Sequence, residues 1–391
     1  LEELPPTNLL IIHHTHILPS QGLYIHIPFC ESICPYCDFS TWKASERQHQ
    51  RWLRTVLREL HHRCTPGTAF QTLYLGGGTP SLLSEESINT LFEELHSFLD
   101  LRNLQEISIE ANPVKLNHTL LQTYAKWNIS RVSLGVQSFD DPTLKALGRN
   151  HNSQEALDSV QLLAKYPFSL NVDLMFGTPN QNMEILKKDL DTIASLPIQH
   201  VSLYGLTIEP NTLFHQQYQK AKLPPMPEDV YDEMYLYSVH FLEELGFKRY
   251  EVSNFAKTDH QSIHNSHYWN HSDYLGIGPG AHSLQNGFRI ANSKKYATYE
   301  KWVEKGCEIQ HTFFEKLDNE ALYTESIWLG LRQTQGISLT ELQEAFSKTP
   351  SIKNMDKWEK LGYLYVNEDN RLELKNKGWL YLDTIAANLS S

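Results

Sequence analysis

Long apolar runs are missing from this chain. Leu9-Leu10-Ile11-Ile12 is far too short to cross a bilayer, and His13, His14 and His16 break it up soon after. The first residues, Leu1-Glu2-Glu3, are acidic where a secretion signal is basic. Basic charge is also in short supply. Against 46 Asp and Glu stand only 34 Lys and Arg, a net charge of −12. That argues against a nucleic-acid backbone as the main partner, because phosphate binding needs a basic face. Cysteine is scarce too, at five residues, an odd number with three clustered. Such a pattern makes a poor disulfide framework and suits a reduced compartment with a metal site, so a cytoplasmic protein is expected. What remains is ordinary. A chain of 391 residues, 40% hydrophobic and 20% charged, has material for two or three domains, or for one α/β barrel with an appendage.

The three clustered thiols lie in Cys30-Glu31-Ser32-Ile33-Cys34-Pro35-Tyr36-Cys37, just after the alternating stretch Leu23–Ile27. Three thiolates cannot close a tetrahedral site alone. They can hold three irons of a cubane cluster and leave the fourth open to an outside ligand, or form a zinc site with a fourth residue from elsewhere. A thioredoxin-type pair at Cys34 and Cys37 fits less well, given the third thiol. Cys64 and Cys307 read as ordinary free cysteines.

From Leu23 onward strand and helix alternate. Strands are expected at Phe70–Leu75, Glu106–Glu110, Arg131–Val136, Ser169–Phe176 and His200–Leu206, with helical periodicity between them. Six repeats of this kind imply parallel strands joined by crossover helices. Glu110, Gln137, Asp173 and the run Gly76-Gly77-Gly78 all fall at strand carboxyl ends, the edge that carries active sites in such folds. The expected fold is therefore α/β, an incomplete barrel of about six strands with the cysteine loop at its mouth. The triple glycine lacks the Lys-Ser or Lys-Thr of a P-loop. It reads as a place where backbone amides approach a ligand, or as a tight turn. Taken singly, Glu110, Gln137, Arg149 and Asp173 fit helix capping or surface ion pairs as well as they fit a site. Past Ser253 the rhythm breaks, and His264–Ser283 has no clear period. Helices over Tyr323–Leu331 and Leu339–Phe346, with a hairpin turning at Asn367–Asn370, suggest a winged-helix-like end. The expected division is an arm at 1–20, a partial barrel at 21–255, a connecting segment at 256–317 and the winged-helix-like region at 318–391.

Cys-x-x-x-Cys-x-x-Cys, Gly-Gly-Gly-Thr-Pro, Glu-Ile-Ser-Ile-Glu and Gly-Val-Gln-Ser, in this order, resemble the radical S-adenosylmethionine enzymes. More narrowly, the chain resembles the oxygen-independent coproporphyrinogen III oxidase family from about Tyr24 to its end. The resemblance implies that Cys30, Cys34 and Cys37 hold a 4Fe-4S cluster. Its open iron would bind S-adenosylmethionine and cleave it to methionine and a 5′-deoxyadenosyl radical. Tyr24, Tyr36, Gly77, Gly78, Thr79, Glu110, Gln137, Arg149 and Asp173 match positions that contact S-adenosylmethionine in the family. Glu110 suits its ammonium and Arg149 a carboxylate.

Within that family the chain is more similar to a heme-chaperone branch than to the oxidases. The oxidases typically end the cysteine motif in Cys-Gly-Cys, whereas Asp38 and Phe39 follow Cys37 here. The chaperone branch carries a His-Asn-x-x-Tyr-Trp signature linked with heme, matched by His264, Asn265, Tyr268 and Trp269. The resemblance implies heme as a third cofactor. As partners it implies heme-accepting client proteins, membrane-associated ones included, and an electron donor of flavodoxin or ferredoxin type. From the residues, His264 or His267 could ligate iron and the two aromatic rings could cover the macrocycle, or the segment could be an aromatic loop packed on the barrel. The alternative function is the oxidase reaction of porphyrin metabolism.

Overall fold

Six parallel strands, β1 (Gly22–Ile27), β2 (Thr72–Gly77), β3 (Glu106–Ala111), β4 (Arg131–Gln137), β5 (Ser169–Phe176) and β6 (His200–Gly205), pair in chain order. The computed structural model describes residues 21–308 and 313–391. The amino-terminal arm with His13, His14 and His16 lies outside the described residues. These strands are buried along almost their whole length because helices cover the outer face and the barrel interior takes the other. The helices start where the sequence provides caps: Ser84, Asn117, Asn152 and Asn182 each accept a first-turn amide.

The first crossover helix, Glu46–Arg63, buries Trp52, Leu53, Val56 and Leu60 against β1 and its neighbours. Filling that stripe contributes on the order of 2 kcal/mol per large side chain. The same helix buries a charge. The Glu59 carboxylate accepts from Gly278 N (2.7 Å), Asn292 Nδ2 (2.8 Å) and Tyr299 Oη (2.7 Å), with Arg63 at 3.4 Å. A buried carboxylate so fully satisfied fastens the later residues to the barrel wall.

The sheet runs further than six strands. On the β6 side it continues into β7 (Lys248–Arg249) and β8 (Asn254–Ala256), with β8 antiparallel to β6. On the other side β9 (Tyr274–Ile277) lies parallel to β1, followed by the antiparallel strands β10 (His282–Gln285), β11 (Phe288–Ala291) and β12 (Phe313–Lys316). The segment without evident period, His264–Ser283, holds most of one short helix, β9 and the start of β10. Its elements are too short to show a repeat, the Ile263–Trp269 helix among them.

That helix lies across the amino-terminal ends of the strands. His264 touches Gly22 and Thr72, the first residues of β1 and β2, and its amide donates to Glu106, the first residue of β3. Helices at Asn319–Arg332, Leu339–Phe346, Ile352–Lys360 and Leu382–Ser390 surround a small antiparallel sheet of β13 (Ile337–Ser338), β14 (Leu364–Val366) and β15 (Arg371–Leu374). Their core residues Ile327, Leu372, Trp379 and Ile385 are continuous with the barrel core. Among the described residues, no helix is long and apolar enough to cross a membrane.

Candidate functional site

The cysteine loop begins where β1 ends, and it is tied at several points. Trp42 N donates to Pro28 O (2.8 Å) and Cys30 N to Trp42 O (3.0 Å), closing the loop into a ring. Phe214 N donates to Pro35 O (2.9 Å) from the far side. Two glycines let other elements press against it. A Cβ on Gly78 would lie 2.6 Å from Phe29 O. At Gly148, in a left-handed turn (φ 67°), it would lie 2.6 Å from Pro35 Cδ.

Beside this loop opens a cavity of about 380 Å³. Cys30, Cys34, Cys37, Tyr36, Gly77, Gly78, Thr79, Glu110, Gln137, Arg149 and Asp173 all line it. Tyr24 does not: it sits a layer lower, its hydroxyl 3.0 Å from His26 Nδ1 and its ring 6.0 Å from that of Tyr74. Apolar Ile33 and Phe39 stand exposed at the rim.

The three thiols are half-buried and unpaired. Burial raises the Cys30 thiol above its ordinary range and pushes Cys37 up to about 11, the nearby thiols adding to the rise. Three thiolates could not share this loop without a strong positive partner. The donor set thus fits an iron–sulfur cluster, whose charge would offset theirs. One cation is already present. Arg149 Nη1 lies 3.5 Å from Cys34 Sγ, and Nη2 donates to Asn112 Oδ1 (2.6 Å) and Gly135 O (2.7 Å). Arg149 Nε is buried without a partner and is the nitrogen left for a ligand.

The amides of the triple glycine are not free to approach a ligand. Gly77 N donates to Glu110 Oε2 (2.9 Å), Gly78 N to Ile27 O (2.8 Å) and Thr79 N to Phe29 O (2.7 Å). The glycines serve close packing against β1 and the start of the cysteine loop. Glu110 also accepts from Tyr74 Oη (2.9 Å), and burial lifts its pKa to about 7 despite both donors. Burial likewise lifts Asp173 to about 6, against hydrogen bonds from Asn171 and Ser133. Gln137 holds a left-handed backbone (φ 74°) at a register shift in β4, a bulge that re-aims its side chain into the cavity.

Sequence reasoning missed Asn112 and Tyr204. Asn112 joins Arg149 to Thr79, donating from Nδ2 to Thr79 Oγ1 at 3.2 Å. Its signal was the Asn-Pro that ends β3 at the functional edge. Tyr204 lines the cavity from β6, two residues beyond the inward-facing Ser202.

His264, Asn265, Tyr268 and Trp269 are not at this mouth. They ride the helix at the opposite end of the barrel. His264 is buried with both ring nitrogens engaged, Nδ1 by Thr72 Oγ1 (2.7 Å) and Nε2 by Tyr268 Oη (2.9 Å). Tyr268 packs edge-on to Tyr274 at 4.6 Å, and the Arg332 guanidinium covers the Trp269 ring at 4.3 Å. Asn265 is half-buried, its amide donating to the helix-capping Ser262. His267 is buried, and among the described residues its Nε2, like Trp269 Nε1, has no partner.

A loop of three thiols at the mouth of a partial barrel, facing buried carboxylates, defines a radical S-adenosylmethionine protein. The Radical SAM superfamily matches residues 24–193. The solved coproporphyrinogen III oxidase (HemN) of Escherichia coli, a radical SAM enzyme, superposes with TM-score 0.83 over 96% of this chain and 92% of its own, at 20% identity. That likeness shows the fold. The heme chaperone HemW of Bacillus subtilis is 34% identical over 334 residues, 84% of this chain and 88% of its own. HemW of Escherichia coli is 39% identical over 270 residues, 68% of this chain and 70% of its own. The chain belongs to the HemW family of radical SAM proteins.

Proposed function

We propose that this chain holds a 4Fe-4S cluster and S-adenosylmethionine at the barrel mouth, binds heme, and hands that heme to client proteins. The curated relatives named heme chaperones over most of its length carry the reading. Asp38, in place of the oxidase Cys-Gly-Cys, agrees with it. In this reading residues 21–255 hold the cluster, 256–317 carry the heme contacts and 318–391 form a winged-helix-like region. The protein works in the cytoplasm, takes electrons from a flavodoxin- or ferredoxin-type donor, and serves clients that include membrane-associated ones.

A cluster held by Cys30, Cys34 and Cys37 would supply the one-electron chemistry on S-adenosylmethionine. The chain's part is to hold and orient. Cys30, Cys34 and Cys37 release their protons to become ligands, helped by the Arg149 charge beside Cys34. Glu110, fixed by Tyr74 and Gly77, ionises to receive the ammonium of the ligand. Arg149 Nε is left for its carboxylate, and Asp173 stays available for a further polar group. On the other side of the barrel, His267 is the segment's histidine with a ring nitrogen to spare for iron.

The test pairs a heme titration with an assay of coproporphyrinogen III turnover under reductant and S-adenosylmethionine. Heme binding and transfer to a heme-free acceptor without turnover supports the chaperone; conversion to protoporphyrinogen IX establishes the oxidase instead.

A further inference from the structure

The amino-terminal end of the barrel has a cavity of its own, about 640 Å³, on the opposite side from the cysteine loop. Arg131, Lys248 and Lys257 line it together with Glu106, Asp259, His260 and Ile263. Arg131 is 5% exposed, its Nε on Glu106 Oε2 (3.1 Å) and its Nη2 on the His260 carbonyl, while Nη1 is buried without a partner. Lys248 opens β7 and Lys257 directly follows β8; both line the cavity, with the Lys257 ammonium 4.9 Å from the centre of the Phe247 ring. Among the described residues neither ammonium is paired with a carboxylate. Glu106 is taken by Arg131, so the two lysines outweigh Asp259. On a chain with net charge −12, such a cationic cavity is not the average surface.

A second set of observations lies on the helix that begins at this cavity. Ile263 lines the cavity, and His267 follows one turn later on the same face. His267 Nε2 and Trp269 Nε1 are both buried without partners. Three orphaned nitrogens thus flank one seven-residue helix. Buried polar groups without partners are rare, and a cluster of them marks a place where a partner belongs.

We propose that this cavity receives the propionate carboxylates of a tetrapyrrole whose ring lies along the Ile263–Trp269 helix. The inference rests on the heme reading above and adds where the acidic edge of the macrocycle is held. Arg131 Nη1 and the two lysine ammoniums supply the charge-assisted hydrogen bonds that carboxylates take. Inorganic phosphate has similar acceptor chemistry and is the competing occupant. The helix at the cavity's edge, with its orphaned histidine, favours the tetrapyrrole.

The test uses the full chain with its cluster loaded. Hemin and hemin dimethyl ester are titrated by absorbance, each with and without millimolar inorganic phosphate. The proteins are the wild type, Lys248→Glu/Lys257→Glu, and Lys353→Glu/Lys360→Glu as an equal charge change on another exposed helix. The free acid is expected to bind about tenfold tighter than the ester, and the cavity variant to lose most of that preference. Ester binding and the control variant stay at wild-type affinity, and phosphate weakens the free acid only slightly. Hemin binding by the wild type that is indifferent to esterification or to the cavity variant overturns the inference and leaves the heme reading standing. Strong displacement by phosphate makes the cavity a phosphate site, which also overturns it. Failure of the wild type to bind either form overturns the heme reading, and this inference with it.

Discussion

The Tyr74 hydroxyl donates to Glu110 Oε1 at 2.9 Å while its ring lies 5.0 Å from that of His264. One side chain therefore links Glu110, which lines the cavity at the mouth, to the helix beneath the barrel. Tyr74→Phe removes the hydroxyl and keeps the ring. It is expected to weaken S-adenosylmethionine binding about three- to tenfold, the range of one hydrogen bond to a charged acceptor, with heme affinity unchanged. Calorimetry for the first ligand and absorbance for the second measure the two effects separately.

Glu110 and Asp173 give the ligand-free chain a pH dependence with a definite sign. Their folded pKa values of about 7 and about 6 lie above the ordinary 4.5 and 3.8. The folded state thus binds more protons between those limits, and stability falls as pH rises from about 4 through 7. With about 1.4 kcal/mol per pKa unit and partial access to solvent, the combined effect is on the order of 3 kcal/mol or less. Urea midpoints measured from pH 5 to 8 are expected to decline more steeply for the wild type than for Glu110→Gln/Asp173→Asn. Equal slopes would assign the pH dependence to other groups.

Replacing any of Cys30, Cys34 or Cys37 by Ser is expected to abolish the brown chromophore formed on anaerobic reconstitution. The wild type should then contain close to four irons and four sulfides per chain. Cys64 is buried in the core, where its thiol is pushed up to about 12, so Cys64→Ser should leave the iron content intact. Stoichiometric zinc in the wild type would contradict the cluster.

His264 and His267 are expected to behave differently. His264→Ala breaks hydrogen bonds to Thr72 and Tyr268 in a buried position and should cost about 2–4 kcal/mol of stability. His267→Ala removes a ring nitrogen with no partner. It should cost less stability and more heme affinity. Denaturation and heme titration of both variants check this pair of outcomes, and a reversed order would return the iron to His264.

Glu106 is the fastening of the helix beneath the barrel. It accepts from Arg131, Ser108, Ser262 and the amides of Ile263 and His264. Glu106→Gln leaves Arg131 buried without its counter-charge and should cost about 3–5 kcal/mol. Limited proteolysis is expected to cut first near residues 257–262.

The parallel core was legible in the sequence because strands such as Val132–Val136 and Leu170–Phe176 place an apolar residue at every second position, and each is followed by capped helices. The mouth residues could be read because Glu110 and Gln137 stand at the ends of β3 and β4, where a polar residue has no reason to be buried unless something there needs it; Asp173 lies further back, inside β5. Other features depend on contacts distant in sequence. β9 is four residues long, and it is a strand because Gly22–Ile25 of β1 pair with it on one side and Leu284 of β10 on the other. The engagement of the Gly77, Gly78 and Thr79 amides depends on where β1 and Glu110 lie, which no local pattern encodes. The separation of His264 from the cysteine loop, at opposite barrel ends, is likewise a matter of topology.

Strand β1, which leads into the cysteine loop, has β2 on one side and β9 on the other, with Gly22 facing both Thr72 and Tyr274. The second neighbour is thus made some 250 residues after the first residue of β1. At 5–20 residues per second, a ribosome needs roughly 10–50 s to cover that distance. Throughout this interval the strand leading into the three-thiol loop has one unprotected edge. Cluster loading before residue 277 emerges would therefore act on a half-walled loop, and the order of metal insertion and sheet closure becomes a matter of biosynthetic timing.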